Sequence, residues 1–348
     1  MEQNQLSIAV IIPAYNVAPY IMEAVKSVLE QPYPYITIVC VNDGSTDNTL
    51  DVLQELSQEN SRIVLLDQPN GGVSVARNNG IEYVLSNLSA DYIMFLDGDD
   101  IWYKNWCSPE AIKILSTGYD MVLFDYCHAD FRTKMRGPSL HTYTGIVEGG
   151  DFAVNIDHQS FAASAYKCDM IRQNGIRFHR GQKLGEDIQF ALEARSLSQK
   201  CCFVEQLILI YRNRPDSATK KEISPIVYYT QLFDGWIQSH AFLKKHGFES
   251  KCTYGAIKWY LKDLVQSHFR QHGTRKELET VLQRYSDCLD VDGPEEQKAH
   301  LYLEQFDRKY ELKQRLIGSL IKVVGIFNRI PPLRHMKDKR RYPIPLER

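Results

Sequence analysis

Residues 92–100 read "YIMFLDGDD". A short apolar run gives way to three carboxylates, Asp97, Asp99 and Asp100, with Gly98 between the first two. The run predicts a buried strand that ends in a turn. Carboxylates this close repel one another unless a cation sits among them. A divalent ion with oxygen ligands, Mg²⁺ or Mn²⁺, is the simplest remedy. The competing reading is that Asp99 or Asp100 only caps a following helix.

The segments before this run alternate. Apolar stretches at 6–13, 35–41 and 62–67 predict strands. Between them, 19–31, 46–59 and 72–88 predict helices, the first with apolar residues at Ile21, Ala24, Val25 and Val28. Strands apolar on both faces and separated by helices imply an α/β fold, a mostly parallel sheet covered on both sides. Ligands in such sheets bind beyond the carboxyl ends of the strands. Each predicted strand ends in a polar cluster: "PAYN", "NDGSTD", "PNGG" and "DGDD". The first turn, Pro13-Ala14-Tyr15-Asn16, is not the glycine-rich turn of a dinucleotide site. It also lacks the basic phosphate loop of a nucleotidyltransferase.

Beyond residue 105, strands are expected at 119–126 and 201–214, a helix at 187–198, and a loop or edge hairpin over 132–150. From about Pro215 the pattern becomes helical, including 254–271. The chain has 348 residues, 44% hydrophobic, with a net charge of −2. That total gives no reason to expect nucleic acid as a partner. The eight cysteines form no C-x-x-C pair, and no leader or spanning segment is evident, so reduced thiols and a cytoplasmic location are expected.

Taken together, "VIIPAYNVAPYIMEAVKSVLEQPYPYITIVCVNDGSTDNT", "NGGVSVARNNGI", "YIMFLDGDDIW", "NGIRFHRGQKLGEDIQFALEA" and "LILIYRNRPDSAT" resemble the family-two inverting glycosyltransferases of the GT-A fold, over roughly residues 5–220. The resemblance implies a Rossmann-like GT-A domain at 1–215, with a nucleotide-sugar half (1–105) and an acceptor half (106–215). A helical region (216–308) and a basic amphipathic tail (309–348) would follow. It implies transfer of one hexose or N-acetylhexosamine from a UDP-sugar to a surface glycan, which could be lipid-linked. A catalytically silent sugar-nucleotide-binding subunit is the alternative from another class.

Carried over by motif, Pro13 and Tyr15 line the base pocket together with Asn16, Asp43 accepts from the uracil ring, and Arg77 approaches the nucleotide. Asp97 holds the ribose beside Gly98, and Asp99 holds the metal. Asn42 stands where many relatives have aspartate. Glu186 and Asp187, which could also be a helix-capping pair, supply the acceptor pocket and the catalytic base. Tyr211, Arg212, Arg214 and Ser217 are diphosphate candidates on a flexible segment after a strand. The chain lacks the Q-x-x-R-W of processive synthases, and at 159–170 it reads "QSFAASAYKCDM" where relatives commonly carry a tryptophan. In the tail, Leu312, Leu316, Ile317, Leu320, Val323, Val324 and Phe327 share a broad face with lysines and arginines nearby. That pattern suits an interfacial helix on an anionic membrane, or a helix docked on protein.

Overall fold

The computed structural model describes residues 5–130, 135–136, 145–148, 161–182, 184–213 and 224–247. Arg214, Ser217, the expected helix at 254–271 and the tail lie outside the described residues. The alternation expected from the sequence is present: β1 (Ile8–Ala14), α1 (Ala18–Leu29), β2 (Ile36–Asp43), α2 (Thr49–Glu59), β3 (Ile63–Gln68), α3 (Val73–Asn87) and β4 (Tyr92–Phe95). Every residue of β1 and β4 is buried, which is why their sequences show no alternation. Helix α1 buries Ile21, Ala24, Val25 and Val28, the stripe its spacing marks.

These four strands are parallel, in the order β3-β2-β1-β4. The sheet then becomes mixed. After β5 (Ile101–Trp102), α4 (Pro109–Leu115), β6 (Met121–Asp130), β7 (Met135–Arg136) and β8 (Gly145–Glu148) comes β9 (Ser164–Lys167). Strand β9 runs antiparallel to both β4 and β6 and joins the two halves into one sheet. Helices α5 (Cys168–Asn174) and α6 (Glu186–Leu197) lead to β10 (Lys200–Asn213), parallel to β6. Helix α7 (Pro225–Lys245) follows. From Gln231 onward it belongs to the same compact unit as the sheet, and it buries Leu232, Phe233, Trp236 and Leu243.

Under the carboxyl end of β4 lies an aromatic cluster. Phe95 sits 5.4–5.9 Å, centroid to centroid, from Phe161, Tyr166, Phe178 and Phe190, and Phe178 stacks on Phe190 at 4.2 Å. Edge-to-face pairs of this kind add to the area they bury. The cluster welds β4 to the 161–178 segment and α6, immediately beneath the residues of "DGDD". The six described cysteines are free and buried. Among the described residues no helix is long and apolar enough to cross a membrane.

Phe95→Ala removes the ring common to four contacts. We expect it to cost about 3–5 kcal/mol in urea unfolding; a loss under about 1 kcal/mol would mean that the cluster does not carry the junction between the halves.

Candidate active site

Helix α3 has an unusual buried face. Besides Ala76, Ile81 and Val84 it buries Arg77 and Asn78. Asn78 pins the backbone of Phe178 from both sides: its Nδ2 donates to the Phe178 carbonyl at 2.7 Å, and the Phe178 N–H donates to Asn78 Oδ1 at 2.8 Å. Arg77, 3% exposed, donates through Nη2 to Asp97 Oδ1 at 2.7 Å and through Nη1 to Glu186 Oε1 at 2.9 Å. Its guanidinium carbon lies 4.5 Å from the Phe161 ring centroid and 5.1 Å from that of Phe178. Burial works against its charge, but Asp97 and Glu186 outweigh it and raise its pKa. One cation thus ties the end of β4 to the start of α6, residues far apart in sequence. Each terminal nitrogen gives one of its two N–H groups to a carboxylate, and the buried Nε has no hydrogen-bond partner among the described residues.

The three aspartates after β4 have separate fates. Asp97 keeps one oxygen clear of Arg77 and is partly exposed. Asp100 is buried and accepts the Arg212 N–H at 2.8 Å. Burial, then Asp99 and Asp97, pushes its pKa well up, against the pull of Arg212. Asp99 is partly exposed between them. Among the described residues no three carboxylates, histidines or cysteines form a metal cage. Asp99 alone fits Mg²⁺ or Mn²⁺, since those ions take as few as one carboxylate and complete their shell with phosphate oxygens and water.

Asp187 occupies the first turn of α6, where its Oδ1 accepts the Ile188 N–H at 2.8 Å. It is partly exposed, yet burial and then Glu186 push its pKa up to about 6, with Arg77 opposing. The preceding Gly185 adopts φ +76°, and a Cβ there would stand 2.4 Å from Leu232 Cδ2 on α7.

The other expected positions divide. Tyr15 is 50% exposed, free to stack on a ring. Asn16 clamps two loops: its Oδ1 accepts the Thr46 N–H at 2.8 Å, and its own N–H donates to Ser45 Oγ at 3.1 Å. Pro13 is buried in β1, with its carbonyl against Gly98, where a Cβ would come within 3.1 Å of that oxygen. Asp43 is buried and accepts the backbone N–H groups of Gly71 and Gly72, each at 2.8 Å. Asn42 donates to its register partner Asp67 at 2.7 Å, so an aspartate in its place would meet a like charge. Tyr211 and Arg212 lie within β10, inside the strand expected at 201–214 and not on a flexible segment after it, and Arg212 pairs with Glu23 at 2.7 Å and covers the Tyr20 ring. Asn78, Phe161 and Phe178 escaped the sequence reading. The one available signal for Asn78 was polarity on a helix face that should be apolar.

Residues 9–173 match the model described as glycosyl transferase family 2. The chain carries a family 2 glycosyltransferase domain. Glycosyltransferase GlyA of Streptococcus pneumoniae serotype 4 is 31% identical over 325 residues, which are 90% of this chain and 41% of GlyA. The chain therefore spans well under half the length of that relative. Among solved structures, S. aureus TarS 1–349 in complex with UDP-GlcNAc superposes with a TM-score of 0.62 at 18% identity, over 81% of each chain. The mannosyltransferase PcManGT from Pyrobaculum calidifontis, in complex with GDP-Man and Mn²⁺, does so with a TM-score of 0.50 at 14% identity, over 86% of this chain and 85% of its own. Both likenesses are of fold: the glycosyltransferase domain has the GT-A architecture.

Gly185→Ala is expected to destabilise the domain by about 1–3 kcal/mol, from the left-handed backbone and the contact with Leu232. Chemical denaturation checks it, and an unchanged midpoint would show that the start of α6 is not held as described.

Proposed function

We propose that the chain is a metal-dependent inverting glycosyltransferase that moves one sugar from a UDP-sugar to a hydroxyl of a growing surface glycan, with Asp187 as general base. The observation that carries this reading is the Asp187 carboxylate, raised to about 6 and set beside Glu186 and Arg77, on a helix tied through Arg77 to Asp97. A base with a pKa near the working pH is ionised often enough to act and basic enough to take a proton. The fold shared with TarS bound to UDP-GlcNAc supports a nucleotide-sugar donor, and the Mn²⁺ of PcManGT supports a metal.

In this reading Tyr15 stacks on the base, and Asp97 binds the ribose with its oxygen not given to Arg77. The acceptor hydroxyl oxygen attacks C1 of the sugar as its proton passes to Asp187. The bond from C1 to the phosphate oxygen breaks, and the electron pair leaves with UDP. A single displacement of this kind inverts the anomeric centre. Asp99 would hold Mg²⁺ or Mn²⁺, and the ion would supply charge neutralisation for the diphosphate. Glu186, engaged with Arg77, borders the acceptor side. The basic apolar stretch at 309–348 supports a lipid-linked acceptor at an anionic membrane surface, with the enzyme peripheral to it.

Asp187→Asn tests the assignment. We expect release of UDP from a UDP-sugar and acceptor mixture to fall by about 10²–10⁴-fold. Retention of wild-type turnover would remove Asp187 from the mechanism. The same variant carries a stability prediction of opposite sign. Because Asp187 titrates near 6 when folded against 3.8 ordinarily, its contribution to stability is complete below about 4 and is lost as pH rises through 6. At pH 7.5 Asp187→Asn should therefore melt no lower than wild type, and by this linkage higher.

The acid limb of kcat/KM is expected near pH 6, since activity requires ionised Asp187. Glu186→Gln removes a neighbouring charge that raises the Asp187 pKa, so the limb should move to lower pH. Movement to higher pH would contradict the pairing.

A further inference from the structure

Asp43 and Gln68 end adjacent parallel strands and are register partners. Their side chains therefore rise from the same face of the sheet, about one strand spacing apart, roughly 4.8 Å. Gln68 Nε2 donates to Asp43 Oδ1 at 2.7 Å, and the Gly71 N–H donates to the same oxygen at 2.8 Å. The Gly72 N–H takes Oδ2 at 2.8 Å. Gln68 is itself oriented, because its Oε1 accepts Asn79 Nδ2 at 2.6 Å, which turns the amide nitrogen toward Asp43. Asn79 is exposed on α3.

A carboxylate offers about four acceptor positions. At Asp43 both positions of Oδ1 are filled and one of Oδ2 is filled, which leaves a single position on Oδ2. The bases differ in what they ask of such a group. Uracil and thymine present one ring N–H between two carbonyls. Guanine presents a ring N–H beside an exocyclic amine, a pair that calls on both oxygens of one carboxylate. Cytosine presents a ring lone pair, which an anion repels.

We propose that Gln68, oriented by Asn79, is a specificity-determining residue: by occupying Oδ1 it restricts Asp43 to a base with one imide N–H and disfavours guanine. The inference rests on the glycosyltransferase reading above, with Asp43 meeting the base as the family resemblance implies, and it gives that reading's uridine donor a physical ground that thymidine would share. The energetic ground is that an unpaired donor on a buried base edge costs far more than a missing apolar contact.

The test is calorimetry of UDP, GDP and CDP, each with Mn²⁺, on wild type, Gln68→Leu and Asn79→Ala. For wild type we expect UDP to bind at least about tenfold more tightly than GDP or CDP. In Gln68→Leu the UDP affinity should fall by about threefold to tenfold and the UDP-to-GDP ratio should narrow. Asn79→Ala, at an exposed site, should move the ratio in the same direction by less, and it carries the test if Gln68→Leu fails to fold. A variant that binds UDP with an unchanged UDP-to-GDP ratio overturns the role of Gln68 and leaves the glycosyltransferase reading standing. GDP binding to wild type as tightly as UDP overturns it too. Failure of wild type to bind any of the three overturns both readings.

Discussion

A single buried guanidinium holds the two halves of the cleft in register. Arg77 bonds Asp97 on one side and Glu186 on the other; Asp187 is next in the chain after Glu186, and Asp99 is two residues after Asp97. Without that cation, carboxylates from both halves would face one another in a partly dry cleft. A buried charge with one partner removed typically costs about 3–5 kcal/mol. Most of the surrounding architecture serves to place Arg77. Asn78 locks α3 to the Phe178 backbone, Phe161 and Phe178 present ring faces to the guanidinium, and the Phe95 cluster fixes those rings.

The same geometry sets a tension between stability and chemistry. Arg77 favours the ionised form of Asp187, while burial and Glu186 disfavour it, and the balance falls near 6. A carboxylate poised there suits the general base proposed above, but its ionised form in that setting is less stable than the same group in the unfolded chain. Sites that keep such groups trade some folding free energy for reactivity. The protein keeps Asp100 for a different purpose: it is buried and anchors the end of β10 by accepting the Arg212 N–H.

The parallel half was legible because its strands are apolar on both faces and its helices carry clean stripes, as in α1 and β1. Strands β5 and β9 were not, since they have two and four residues and owe their conformation to pairing with β10, β4 and β6. In the cleft, the motifs located the carboxylates but not their partners. The motifs marked Arg77 as a residue near the nucleotide, and only the tertiary fold shows that it also bridges Asp97 and Glu186. Gln68 carried no signal at all: its meaning comes from the β2–β3 register, which places it against Asp43. Arg212 falls within the strand expected at 201–214 and its backbone continues the ladder with β6, but its pairing with Glu23 was not legible.

The pH dependence of kcat/KM for Arg77→Lys and Arg77→Met, beside wild type, tests the central claim most directly. Arg77→Lys keeps the positive charge and should leave the acid limb near that of wild type, with reduced turnover. Arg77→Met removes the charge that favours ionised Asp187, so its limb should move up by roughly one pH unit or more. A limb that stays put, or moves down, in Arg77→Met would contradict the view that one buried cation couples the carboxylates of the two halves.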